Sequence, residues 1–194
     1  MTVYVVCGLH RTGTSMMMQG AKAGGMTVTM SLEKEEELRA LPDVDGYELN
    51  PHGFYEVPDN YHMKPGWSRE HEGAVIKVVP VQAAMLCHGD YRVAFMQRPY
   101  EEVLASATKL RKAQGTTADH IALNDPETYR ECFAMYEGWL KARRDISYLV
   151  MHYGNVIQNP VHEFTRLAEA GWPLNPEAAA TAVRPELHRH KIGA

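Results

Sequence analysis

The sequence predicts an α/β protein, a three-layer sandwich in which helices cover both faces of a mostly parallel sheet. Four short runs rich in β-branched and aromatic residues are typical of buried strands: residues 3–6, 75–79, 91–96 and 148–152. Helical segments separate these runs, and such alternation favours parallel strands. Ligands of parallel sheets bind beyond the carboxyl ends of the strands, so we expect the functional residues there.

Capping residues indicate where the expected helices begin and end. Gly24 ends a helix over residues 14–23, and Ser31 caps a second helix over residues 32–41. Prolines precede or begin the remaining helices, which we expect at residues 81–87, 99–113, 126–144 and 160–170, with a short last helix from Pro176.

The length of 194 residues fits one domain spanning residues 1–194, since a domain takes roughly 150 residues. Within it, residues 42–73 are rich in Pro, Gly, Asn and Asp. We interpret this stretch as a long irregular insertion. Long insertions of this kind are often functional.

Composition excludes several classes of protein. The net charge is −4 and the pI about 6.2, unlike a general nucleic-acid coat, so no nucleic acid polymer is expected as a partner. The three cysteines form no CxxC pair, and the ten histidines form no HExxH, so neither a disulfide scaffold nor a metal is expected. The start lacks a basic n-region, and no window is apolar enough to span a membrane. We expect a cytoplasmic protein; the oligomeric state is left open.

The first strand is followed by GLHRTGTS, from Gly8 to Ser15, which has the glycine spacing of a P-loop. A glycine-bearing turn into a helix aims backbone N–H groups at an anion. Arg11 adds a permanent charge and Thr12 a hydroxyl, while Thr14 stands where the Walker lysine would be. The motif predicts a P-loop nucleotide-kinase-like fold. Taken alone, it is also compatible with a turn that binds nothing.

A second candidate phosphate site follows the third strand. Arg98 and Pro99 stand at the strand end, and Ser106 lies eight residues after the arginine. A salt bridge of Arg98 with Glu101 or Glu102 is the plainer interpretation. For Ser106 the plainer interpretation is a hydroxyl bonded back to its own helix.

Together the two segments resemble the P-loop sulfotransferase family. In that family a loop of the form [K/R]-[S/T]-G-T-[S/T] cradles the 5′-phosphosulfate of 3′-phosphoadenosine 5′-phosphosulfate (PAPS), and an Arg with a Ser eight residues later grips the 3′-phosphate. Residues 11–15, Arg98 and Ser106 match these patterns, although the usual Asp between Arg and Pro is missing. Lys77 and Pro80, in VIKVVP, are similar to the K-x-P segment of bacterial members, with one extra residue.

The resemblance implies a metal-independent transfer of a sulfuryl group from PAPS to a hydroxyl or amine of an unknown small-molecule or carbohydrate acceptor, releasing 3′,5′-adenosine bisphosphate (PAP). The insertion would shape the acceptor pocket. The implied donor-binding residues are Gly8, His10, Arg11, Thr12, Gly13, Thr14, Ser15, Arg98, Ser106 and Arg189. Arg189 belongs to a basic tail that could close over the phosphates or simply fray.

Four residues are candidates for the chemistry. Arg11 would stabilise developing charge, because a guanidinium cannot donate its proton at neutral pH. Lys77 would be a second cation. Glu56 or His52, in NPHGFYE, would be the general base, with Glu56 favoured. It remains open whether this segment is only a turn with two packed aromatic residues. Two other histidines are secondary candidates for the base: His71 and His88.

Two other functions fit the same scaffold. A small P-loop nucleotide kinase would need Mg-ATP and an acidic metal ligand, but the strands lack an apolar run followed by Asp. A non-catalytic nucleotide-binding or interaction protein would bind the donor without turnover.

Overall fold

The computed structural model describes residues 1–41, 50–57, 66–115 and 125–187. Much of the predicted insertion and the basic tail, including Arg189, lie outside the described residues. A four-stranded, fully parallel sheet forms the centre, in the order β2-β1-β3-β4. Its strands are β1 Thr2–Gly8, β2 Val75–Val78, β3 Asp90–Gln97 and β4 Ile146–His152. The predicted fold class is confirmed.

The helices in the described ranges are α1 Thr14–Ala23, α2 Leu32–Arg39, α3 Trp67–Glu70, α4 Pro80–Ala84, α5 Tyr100–Gln114, α6 Pro126–Ala142, α7 Tyr153–Gln158, α8 Pro160–Glu169 and α9 Pro176–Ala180, with a 3₁₀ turn at Pro185–Leu187. The first matches its predicted bounds. Helices α2, α6 and α8 end one or two residues earlier than predicted. Helix α4 begins at Pro80 itself and ends three residues early. None of the described helices is both long enough and apolar enough to cross a bilayer.

Two short helices were not predicted. Helix α3 lies inside the stretch interpreted as irregular, because Trp67 is buried in the core and stacks on His71 at 4.6 Å between ring centroids. Helix α7 begins directly after β4 and buries Tyr153, Val156 and Ile157.

The two faces of the sheet carry separate cores, because alternate residues of a strand point to opposite sides. Val3 and Val5 of β1 pack in one cluster with Phe133 of α6. Tyr4 and Val6 pack in the other, with helices α1, α7, α8 and α9. This arrangement forms the three layers of the sandwich.

The neighbouring strands β1 and β3 send the chain to opposite faces. After β1 the chain enters α1, whose Met17 and Met18 belong to the second cluster. After β3 it enters α5, whose Val103 belongs to the first. Loops that diverge in this way open a crevice at the carboxyl edge of a parallel sheet.

Candidate functional site

A cavity of about 590 Å³ occupies the carboxyl edge of the sheet. Its size falls within the range of roughly 300–1,000 Å³ typical of ligand pockets. Ten of the residues predicted for the site line it: His10, Arg11, Gly13, Thr14, Ser15, His52, Glu56, Lys77, Arg98 and Ser106. The predicted site residues therefore converge on one cavity, although they come from segments far apart in the chain.

The loop between β1 and α1 is a tight turn with an unusual backbone. Arg11 has φ 69° and Gly13 φ 97°, both in the left-handed region. A Cβ at Gly13 would lie 2.5 Å from Cδ2 of Tyr153. Glycine is therefore required at this position by both conformation and space.

Gly8 and Thr12 were predicted to bind the donor, but neither is among the residues that line the cavity. Thr12 is fully buried, and its hydroxyl donates to the carbonyl of Leu9 at 2.7 Å. A Cβ at Gly8 would lie 2.5 Å from Oγ1 of Thr12. Both residues therefore determine the conformation of the loop through contacts within it.

The side chain of Arg11 joins the first loop to two other parts of the wall. Its Nε donates to Oγ of Ser106 at 2.8 Å. Its Nη1 donates to Oδ1 of Asn50 at 3.3 Å. Ser106 is buried and receives this bond, so its hydroxyl faces the loop.

Arg98 is buried against the same loop. Its Nε donates to Oε2 of Glu102 at 2.8 Å, as the plainer interpretation required. Its Nη1 also donates to the carbonyl of Arg11 at 3.0 Å, and its Cζ lies 4.1 Å from the ring centroid of Tyr153. The guanidinium thus braces the first loop while it lines the cavity.

Lys77 is buried, with a relative exposure of 6%. Its Nζ lies 2.6 Å from Oε1 of Glu56 and 3.4 Å from Oγ of Ser15, and it donates to the carbonyl of Phe54. Burial lowers the pKa of the Lys77 ammonium, and the Glu56 carboxylate opposes that shift. The structure therefore pairs the predicted second cation with the favoured base.

The other candidate bases lie in different environments. His52 is exposed and lines the cavity. His71 is buried under Trp67, with Nδ1 2.9 Å from that residue's carbonyl, and is not part of the lining. His88 is exposed and its Nδ1 lies 3.6 Å from Asp145, at the opposite edge of the sheet from the cavity. Of the three histidines predicted as candidate bases, His52 is the one that lines the cavity together with Glu56.

Sequence reasoning missed three residues of this region. Asn50 contacts both Arg11 and Ser15, and Tyr153 packs on Gly13 and Arg98. Glu35 is buried under the segment that carries Glu56. Asn50 stands in the NPHGFYE segment already singled out. Glu35 carries no such signal.

The charges that line the cavity favour an anionic ligand. Five cationic side chains lie in its wall, against the carboxylates of Glu37 and Glu56: Arg11, Lys34, Lys77, Arg98 and Arg184. The N-terminus of α1 adds its positive dipole end. Among the described residues, no three His, Cys, Asp or Glu side chains are grouped as metal ligands would be.

Comparisons with known proteins add little to this geometry. Neither a protein-family model nor a curated protein matches the chain. Among solved structures, the chain is similar to an unliganded sugar kinase from Janibacter sp., with 13% identity, 91% of this chain and 97% of that chain covered, and a TM-score of 0.40. A likeness at that level carries no functional argument.

Proposed function

We propose that the protein is a PAPS-dependent sulfotransferase acting on a hydroxyl or amine of a small-molecule or carbohydrate acceptor, without a metal ion. One observation carries this proposal. Two predicted phosphate-binding segments, far apart in sequence, touch in one cationic cavity. Arg11 Nε lies 2.8 Å from Ser106 Oγ, and Arg98 Nη1 lies 3.0 Å from the Arg11 carbonyl.

The donor has phosphate groups at both ends of its ribose, so its site needs two neighbouring places for negative charge. The loop over residues 11–15 and the start of α1 offer backbone N–H groups and the Arg11 charge to the 5′-phosphosulfate. Arg98 and Ser106 supply a guanidinium and a hydroxyl for the 3′-phosphate. Arginine suits this task because its planar fork pairs with phosphate oxygens.

The transfer itself would run in line. The bond between sulfur and the bridging oxygen of the donor breaks, a bond from sulfur to the acceptor oxygen forms, and PAP leaves with the electron pair. Arg11 and Lys77 stabilise the charge that develops on the bridging oxygen. Glu56 takes the proton of the acceptor hydroxyl, and His52, which lines the same cavity, is the alternative base.

The test is thermal stabilisation by PAP, beside ADP, AMP and Mg-ATP. A ligand at 100 times its Kd stabilises by about 2.7 kcal/mol, which raises the Tm of a chain of this size by roughly 5–11 °C. We expect this rise with PAP, and we expect Arg98→Ala to abolish it. Because that variant also removes the buried ion pair of Arg98 with Glu102, Ser106→Ala is the second variant. Arg130→Ala, on the exposed face of α6, is the matched control.

Each outcome decides between the candidate functions. A rise specific to PAP that is weakened by Arg98→Ala and Ser106→Ala supports the donor site. A rise with Mg-ATP alone would reject the sulfotransferase and favour a nucleotide kinase. PAP binding with no turnover on any acceptor would favour a non-catalytic nucleotide-binding protein.

A further inference from the structure

Glu35 is a buried carboxylate that holds the backbone of a neighbouring segment. It lies on α2, with a relative exposure of 6%. Its Oε2 accepts from the backbone N–H groups of Phe54 and Tyr55, each at 2.9 Å. Its Oε1 accepts from the Phe54 N–H at 3.1 Å and from Nε of Arg39 at 2.9 Å. A buried carboxylate is tolerated when its oxygens are satisfied in this way.

The segment over residues 50–57 has the conformation that such an anchor requires. Asn50, Gly53 and Tyr55 all have positive φ, at 45°, 109° and 60°. Successive N–H groups in a turn of this kind form a concavity that binds an anion, and here the anion is the side chain of Glu35. A Cβ at Gly53 would lie 3.0 Å from Oε1 of Glu35, so glycine permits the close approach.

The same segment meets the cavity on its other side. The carbonyl of Phe54 accepts from Oγ of Ser15 at 3.1 Å and also from Nζ of Lys77. Two residues later, Oε1 of Glu56 lies 2.6 Å from Nζ of Lys77. Glu35 therefore fixes the backbone that carries the Phe54 carbonyl and Glu56. Lys77 contacts both of these groups, and Ser15 contacts the carbonyl.

We propose that Glu35 is a positioning residue for the transfer step. Its carboxylate sets the Phe54 carbonyl and Glu56, and through them the place of the Lys77 ammonium. The inference rests on the proposed sulfotransferase function. A misplacement of about 1 Å at a reacting group can lower the rate about 100-fold, which sets the size of the expected effect.

Three variants separate the backbone anchor from the charge. Glu35→Ala removes both. Glu35→Gln keeps a carbonyl oxygen that can accept from the Phe54 and Tyr55 N–H groups, but it loses the charge and the second oxygen, which accepts from Arg39. Arg39→Ala removes the ion pair of an arginine whose side chain is 53% exposed, and leaves the backbone bonds intact. These three changes lie within two turns of α2.

We expect kcat to fall about 100-fold in Glu35→Ala with little change in the KM for PAPS, because the donor contacts of Arg98 and Ser106 are untouched. Glu35→Gln should restore most of that loss, and Arg39→Ala should behave as the wild type. Propionate added to Glu35→Ala should recover part of the rate, because it can refill the vacated backbone concavity. A general loss of stability would lower the apparent kcat only through the folded fraction, so the rates are compared after correction for the folded fraction of each variant.

A second measurement does not depend on turnover. Amide hydrogen exchange at Phe54 and Tyr55 should be slow in the wild type and in Glu35→Gln, and much faster in Glu35→Ala. The ¹⁵N chemical shift of Lys77 Nζ should differ from the wild-type value in Glu35→Ala and equal it in Arg39→Ala. Unchanged exchange and an unchanged Lys77 signal in Glu35→Ala would overturn the positioning role. Failure of the wild type to bind PAP would overturn the proposed function instead, so the two failures are distinguishable.

Discussion

Arg11 and Ser106 are joined by a hydrogen bond of 2.8 Å from Nε to Oγ, although one stands in the loop after β1 and the other in α5. The bond joins the two chain segments that follow the neighbouring strands β1 and β3. Arg98 holds the same loop from a second side, through the carbonyl of Arg11. The positive φ of Arg11 is therefore maintained by contacts at both its side chain and its backbone.

Replacing Arg11 should lower the rate of turnover strongly and spare the fold. Arg11→Met removes a charge aimed at the developing negative charge of the leaving group, and the loss of one such group lowers kcat about 100- to 1,000-fold. Arg11→Lys keeps the charge and should retain more of kcat. Single-turnover rates with labelled PAPS measure the effect. An Arg11→Met enzyme with the wild-type rate would refute this role.

Gly13→Ala should lower the free energy of unfolding far more than Gly25→Ala does. Both glycines have φ 97°, so alanine strains the backbone equally at either site, by about 1 kcal/mol. A Cβ at Gly13 would also lie 2.5 Å from the Tyr153 ring, whereas nothing lies within 4 Å of a Cβ at Gly25. Of the two variants, we expect only Gly13→Ala to lose PAP binding. Urea denaturation and PAP titration of the pair measure the difference. Equal behaviour of the two variants would show that the Tyr153 contact is unimportant.

Lys77 should make stability rise with alkaline pH. Burial lowers its pKa in the folded state below the ordinary lysine value of 10.5. Between those two pKa values the unfolded chain binds more protons, so the unfolding free energy increases with pH across that window. Lys77→Met lacks this titration. The stability of the wild type relative to Lys77→Met should therefore increase as the pH approaches about 10.5, and level off above it. Parallel pH profiles for the two proteins would contradict the buried ammonium.

Asp145 lies at the amino ends of the strands, away from the cavity, and should stabilise the fold. A hydrogen-bonded ion pair with Arg143 lowers the pKa of Asp145 to about 2, although burial opposes the shift. A carboxyl with a lowered folded pKa stabilises above its unfolded value and loses that effect as the pH falls through the folded one. The wild type should exceed Asp145→Asn by about 2 kcal/mol at neutral pH, and the difference should shrink between about pH 4 and pH 2.

Because Asp145 lies at the amino end of β4, Asp145→Asn should leave PAP affinity unchanged. Denaturant titrations over this pH range, with PAP titrations at neutral pH, check both statements. A constant difference in stability across the acid range would contradict the lowered pKa. Loss of PAP affinity would contradict the separation of this ion pair from the cavity.

Sequence predicted the parts of the fold that local chemistry determines. Gly24 follows the last residue of α1, Ser31 accepts from the Lys34 N–H at the start of α2, and Asp125 caps α6 through Glu127 and Thr128. Such signals lie within a few residues of the element they bound. Helix α7 has no such signal: it begins with Tyr153 and contains a glycine, and its apolar residues are fixed by the core they enter.

The site was predictable only where it follows strand ends. Arg11 and Arg98 stand after β1 and β3, so parallel strands bring them to one edge. Glu35 stands in an acidic run whose other carboxylates are exposed. Which of these carboxylates is buried depends on the rotation of α2 against the 50–57 segment, and that is a tertiary relationship. For the same reason, the sequence suggested Glu56 as a base without revealing its pairing with Lys77.

The most direct test of the donor site is calorimetric titration of PAP and 5′-AMP into the wild type and Ser106→Ala. The two ligands differ only in the 3′-phosphate. We predict that the wild type binds PAP at least about 10-fold more tightly than 5′-AMP, since a hydrogen bond to a charged group contributes about 1.5–3 kcal/mol. Ser106→Ala should lose most of that preference and keep its affinity for 5′-AMP. Equal affinity of the wild type for the two ligands would contradict the account.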